Sequence, residues 1–159
     1  MTDTRKHQFI ASKDINLHVV SQGSGPLVIM CHGFPGLWYS WRHQMQALAD
    51  AGYTAVAFDQ RGYGRSSRPT DPAVYDSNHV VNDLINILDA LGAQQAVFIG
   101  HDFGAAQVYN LAVRHPDRVR AVIGVACPYD FDLAGRGCSG SNPPVDAVYH
   151  RAFARPDKK

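Results

Sequence analysis

The stretch from Gln95 to Tyr109, Q-A-V-F-I-G-H-D-F-G-A-A-Q-V-Y, constrains the fold more than any other part of the chain. The unbroken apolar run from Ala96 to Ile99 predicts a buried strand, and from Gly104 onward small and apolar residues recur at helical spacing. Between them, Gly100 and Gly104 bracket Asp102. This is a G-x-nucleophile-x-G pattern, in which the flanking glycines let the backbone bend so tightly that the central side chain stands at the carboxyl end of a sheet, beside a helix N-terminus. A serine there would need a neighbouring base. An ionised carboxylate attacks without losing a proton and leaves a covalent ester, which points to substitution at a saturated carbon. Spacing alone also admits an ordinary strand-to-helix turn in which Asp102 caps the helix.

The chain before this stretch supplies a sheet for the turn to stand on. Phe9 to Ala11 and Ile15 to Ser21 read as short strands joined at Lys13-Asp14, followed by a Gly-rich turn from Gln22 to Pro26. Leu27 to Cys31 and Tyr53 to Phe58 are continuous apolar runs, the pattern of parallel strands covered on both faces. A helix is expected from Trp38 to about Asp50, with Trp41, Met45 and Leu48 on its inner face. Another is expected from Tyr75 to Leu91, capped by Asp76 or Ser77, with Val80, Leu84, Ile87 and Leu88 inward and Gly92 at its end. The helix after Asp102 must stop near His115, because Pro116 cannot continue it. Val119 to Ala126 is the next strand, which completes four parallel strands with three intervening helices.

Composition narrows the partners. The 159 residues carry a formal net charge of +1 with 18% charged residues, and no block of like charge marks a nucleic-acid surface. No apolar run has the length of a signal peptide or of the ~18 residues that span a bilayer. Cys31, Cys127 and Cys138 are odd in number and lack C-x-x-C spacing, so neither a disulfide framework nor a zinc site is expected, and a cytoplasmic setting fits. No metal and no cofactor are implied. Gly135 to Pro144 has the composition of a linker.

Three motifs occur in order: H-G-F-P-G at His32 to Gly36, F-D-Q-R-G-Y-G-R-S-S at Phe58 to Ser67, and I-G-H-D-F-G at Ile99 to Gly104. Together they resemble the α/β-hydrolase superfamily and, within it, the soluble-type epoxide hydrolases, over residues 7 to 137. The resemblance implies a doubly wound, mostly parallel sheet and an aspartate nucleophile, Asp102, that opens an epoxide to a hydroxyalkyl ester later hydrolysed to a diol. It implies an oxyanion hole built from the backbone N–H groups of Phe34 and Phe103, each such donor worth about 3 kcal/mol. It also suggests a cis bond before Pro35. Pro35 and Trp38 are expected beside the substrate, with ordinary packing the alternative for Trp38. His32 and the Asp59 loop are expected to be structural, with an acid–base pair of Asp59 and Asp102 the alternative for Asp59.

The resemblance further implies an acid, a histidine and two lid tyrosines later in the chain. After Asp102 only His115 and His150 occur, and neither follows a strand pattern; Tyr149 stands without the surrounding lid motif. The expectation is therefore an N-terminal portion of the core domain at 1–134, with a linker and the start of a cap at 135–159. Its partner would be a small hydrophobic epoxide, with self-association through a bared sheet edge. Two alternatives stay open. Haloalkane dehalogenases place Trp after the aspartate and fluoroacetate dehalogenases place Arg, where this chain has Phe103; a noncatalytic remnant or binding module is the other.

Overall fold

The structure is a computed structural model and describes residues 4–127 and Tyr129. Six strands form one sheet: β1 (Lys6–Ser12), β2 (Ile15–Gly23), β3 (Leu27–Cys31), β4 (Thr54–Phe58), β5 (Ala96–His101) and β6 (Val119–Val125). Their spatial order is β1-β2-β4-β3-β5-β6. The first two make an antiparallel hairpin, β2 pairs antiparallel with β4, and β4, β3, β5 and β6 run parallel. The expected doubly wound sheet and its lead-in hairpin are thus both present. The hairpin strands are longer than their apolar runs, because backbone pairing continues through the polar ends of β1 and β2.

Three helices cover the sheet: α1 (Arg42–Asp50), α2 (Ser77–Ala90) and α3 (Phe103–Arg114). Alternation along the strands decides which face each side chain serves. Ile29 and Cys31 of β3 join Phe98 of β5 in a core closed by Leu84, Ile87 and Leu88 of α2 and by Val108 and Leu111 of α3. Val28 and Met30 point the other way, toward Trp41 and Met45. Both faces of β3 are therefore buried, which is why its sequence is apolar without interruption.

Two helix boundaries differ from expectation. Trp38–Trp41 is a 3-10 turn leading into α1, and Pro72–Tyr75 is another, set off from α2 by Asp76. Asp76 is the cap, its carboxylate accepting the His79 N–H at 2.9 Å. A four-residue aromatic segment carries too few repeats for its sequence to distinguish a period of 3.0 from 3.6. Cys31 is free and buried, its thiol pushed far up by desolvation and so held protonated. No helix among the described residues is long and apolar enough to cross a membrane. The expected linker and cap start, including Tyr149 and His150, lie outside the described residues.

Candidate active site

β5 continues two residues beyond its apolar run, through Gly100 and His101, and α3 begins at Phe103, so Asp102 occupies the junction alone. Its backbone has φ +53° and ψ −122°, in the left-handed half of conformational space where a residue with a Cβ is strained by roughly 1–3 kcal/mol. The surroundings hold it there. Its N–H donates to the Val125 carbonyl at 3.1 Å, and its own carbonyl accepts the Ala105 N–H at 3.0 Å. Asp102 makes no side-chain cap to α3, which separates this turn from the ordinary capped junction.

The glycines of the two motifs let backbones meet. A Cβ on Gly100 would overlap the Gly104 carbonyl, and a Cβ on Gly104 would overlap the carbonyls of Cys31 and His32 at the end of β3. One on Gly33 would strike Asp102 itself. The turn is therefore seated directly on the His32–Gly36 loop. In that loop the Phe34 N–H donates to Asp102 Oδ1 at 3.1 Å, and the Phe34–Pro35 peptide is cis. Phe103 follows Asp102 at the first position of α3.

His32 is buried and fully engaged. Its Nε2 faces the Gln60 N–H at 3.1 Å and must accept, which leaves Nδ1–H to donate to the Gly33 carbonyl at 2.8 Å. The Gln60 side-chain amide bonds the His32 carbonyl in return. Burial lowers the imidazole pKa, opposed in part by the Gly33 bond and by the charge of Asp59. His32 is a neutral strut between two loops. The sign of its linkage follows: below the ordinary value of 6.5 the unfolded chain binds the proton more readily than the folded one. Its stabilising contribution is thus present above pH 6.5 and lost as pH falls below it, at up to about 1.4 kcal/mol per pH unit. Urea unfolding of the wild type and of His32→Asn, followed across this range, should show the smaller pH slope in the variant. Equal slopes would remove His32 as the cause.

Asp59 is also a structural group. Oδ1 accepts the Trp38 N–H at 3.0 Å, and Oδ2 accepts the Arg65 N–H at 3.0 Å and His18 Nδ1–H at 2.9 Å. These bonds tie the Asp59 loop to the Trp38 turn, to β2 and to itself. Trp38, expected beside the substrate, turns its indole toward His7, His18 and Tyr39.

A cavity of about 480 Å³ opens beside the turn, with Phe34, Pro35, Trp41, Gln44, His101 and Val125 among its walls. Pro35 and the Phe34 loop are brought to it, and Trp38 is not among its lining residues. Two residues here escaped the sequence reading. His101 lines the cavity and is exposed, because β5 extends to it. Tyr63 stacks edge-on against His32 with ring centroids 5.0 Å apart, and its phenol is pushed up by burial and then by the charge of Asp102. A tyrosine inside the Gly62-Tyr63-Gly64 loop was the available signal. Among the described residues no group of three or more His, Cys, Asp or Glu side chains could hold a metal ion.

Comparison with known proteins adds to this geometry. Residues 26–145 match the family model described as alpha/beta hydrolase fold. An epoxide hydrolase of Caballeronia sordidicola is 52% identical over 124 residues, covering 78% of this chain and 38% of the relative. Epoxide hydrolase B of Mycobacterium tuberculosis is 45% identical over 138 residues, covering 84% and 38%. The crystal structure of an epoxide hydrolase from Vigna radiata superposes with a TM-score of 0.85 at 35% identity, over 99% of this chain and 50% of that one. The chain thus spans well under half the length of the curated relatives it matches.

Proposed function

The chain belongs to the alpha/beta hydrolase fold family and is closely related to epoxide hydrolases, and from this premise we propose that Asp102 is the nucleophile of epoxide opening. The carrying observation is the strained turn that presents its carboxylate to the Phe34 N–H, with the neighbouring Phe34 and His101 among the walls of the adjoining cavity. Oδ1 accepts the Phe34 N–H, and we assign the attack to the other carboxylate oxygen, Oδ2. Oδ2 forms a bond to a ring carbon, the C–O bond of the ring breaks, and the ring oxygen takes a proton from water to become the hydroxyl of an ester. Water then adds to the ester carbonyl, and the oxyanion develops at Oδ1, where the N–H groups of Phe34 and Phe103 stabilise it. Collapse releases a diol and restores the carboxylate.

The substrate is a small apolar epoxide, and no cofactor enters the scheme. The names of the relatives favour this substrate, and so does Phe103, whose side chain has neither the N–H nor the charge that would hold a departing halide. From the family resemblance we expect the acid, the histidine that activates water and the two lid tyrosines later than the described residues, and without them at best a slow single turnover. Incubation with a reactive aryl epoxide, followed by intact-mass and peptide mass spectrometry, should find one stable adduct on Asp102 and none in Asp102→Asn. Halide release from a haloalkane without an epoxide adduct would instead favour dehalogenation, and no reaction with either would favour a noncatalytic role. Multiple-turnover diol formation would place the water-activating base within this chain.

A further inference from the structure

A second cavity, of about 320 Å³, shares no lining residue with the one beside Asp102. Its walls come from the turn of the β1–β2 hairpin, the segment after β4 and the beginning of α2, and include Lys13, Asp14, Arg61, Ser67, Arg68 and His79. Hydrogen-bond donors are left over there. Lys13 makes no hydrogen bond or ion pair among the described residues. Ser67 Oγ accepts the Asn16 N–H at 2.9 Å, which leaves its own O–H to donate. Arg61 is 5% exposed; it serves Asp83 through Nε and one terminal nitrogen, His79 through that same nitrogen and Val74 through the other. Of the five N–H groups of a guanidinium, one therefore has no acceptor among the described residues. Arg68 donates through one nitrogen, to the Gly64 carbonyl. Charge agrees with the donor count. Asp83 offsets Arg61 and Asp76 lies 2.6 Å from His79, so Lys13 and Arg68 face the single carboxylate of Asp14.

At Lys13 the sequence also departs from local preference. Ser12 pairs with Ile15, so Lys13 and Asp14 alone make the turn, and Lys13 has φ +51°. Such turns favour Gly or Asn, because a Cβ is strained there. Among the described residues, Lys13 and Asp102 are two of three non-glycine residues with positive φ. At Asp102 the strain accompanies a placed carboxylate, and at Lys13 it accompanies an unpaired ammonium beside a cavity. We infer that this cavity binds a phosphate group, as the free ion or as a phosphomonoester, with Lys13, Arg61, Ser67 and Arg68 as donors. A tetrahedral oxyanion presents acceptors on every side, which suits donors that arrive from separate segments of the chain.

Amide shifts of the isotope-labelled full chain, followed by NMR at fixed ionic strength, should move saturably at Lys13, Asp14, Ser67 and Arg68 as inorganic phosphate or phenyl phosphate is added. The tighter of the two identifies the source of the group. Chloride and acetate should give no saturable response. Lys13→Gly has opposed readouts: phosphate binding should weaken about fivefold or more, while the melting temperature without phosphate stays level or rises, since glycine relieves the turn. Arg68→Gln should weaken binding similarly, and it decides the matter should Lys13→Gly melt lower than wild type. Shifts that never saturate, an equal response to acetate, or folded variants that bind as the wild type does would each overturn the inference.

Discussion

Asp83→Ala is expected to destabilise the protein by about 3–5 kcal/mol, because it strands a buried guanidinium. Asp83 lies on the inner face of α2, with both carboxylate oxygens 2.7 Å from Arg61, one facing Nε and the other a terminal nitrogen. The same Asp83 oxygen that takes the terminal nitrogen also accepts the Ser12 hydroxyl of β1, which in turn accepts a bond from Asn86. Arg61 also donates to the carbonyls of Val74 and His79. Removing the carboxylate leaves the charge in place with only neutral partners. Replacing both residues by apolar ones of similar volume, Arg61→Met with Asp83→Leu, should recover most of the loss, since the desolvation of two charges nearly offsets their attraction. Urea denaturation monitored by circular dichroism measures all three proteins. A single variant within 1 kcal/mol of wild type would show that water reaches the arginine, and a double variant as weak as the single one would place the cost in packing.

Gly104→Ala is expected to cost about 3 kcal/mol, the upper end of what overpacking usually costs, and to abolish the Asp102 adduct. The added carbon meets the main-chain carbonyls of Cys31 and His32, and main chain cannot rotate away as a side chain can. Relief requires α3 to lift from β3, which shifts Asp102 away from the Phe34 N–H. Thermal unfolding together with epoxide labelling tests both halves. A variant that folds normally and still forms the adduct would show that the turn tolerates a wider seat than the contact distances allow.

The turn at Asp102 was legible because its constraints are local: two glycines, an apolar run before them and a helical pattern after. Phe34 followed from the H-G-F-P-G segment by resemblance, and the structure places its amide on Asp102. What could not be read was long-range pairing. His18 meets Asp59 across 41 positions and Arg61 meets Asp83 across 22, and neither separation has a sequence period. One clue existed, since Asp83 interrupts the apolar stripe of Val80, Leu84 and Ile87, and a charge on a buried face calls for a partner. The direction of the Trp38 ring was hidden for another reason. It depends on a short 3-10 turn and on the imidazoles of His7 and His18, which stack at 5.2 Å beneath it.

The strand order carries a consequence in time. β3 lies between β4 and β5, both made after it, and β4 is the strand that separates β3 from the older hairpin. As the polypeptide emerges during synthesis, β1 and β2 can close on each other at once, whereas Leu27–Cys31 has no edge to join until β4 has arrived to bridge it. The most apolar strand of the sheet therefore waits while α1 is produced, and waits again for its second neighbour until α2 is complete. Assembly of this sheet is governed by non-local closure, with slow acquisition of the centre and an interval in which the nascent chain depends on being shielded from its neighbours.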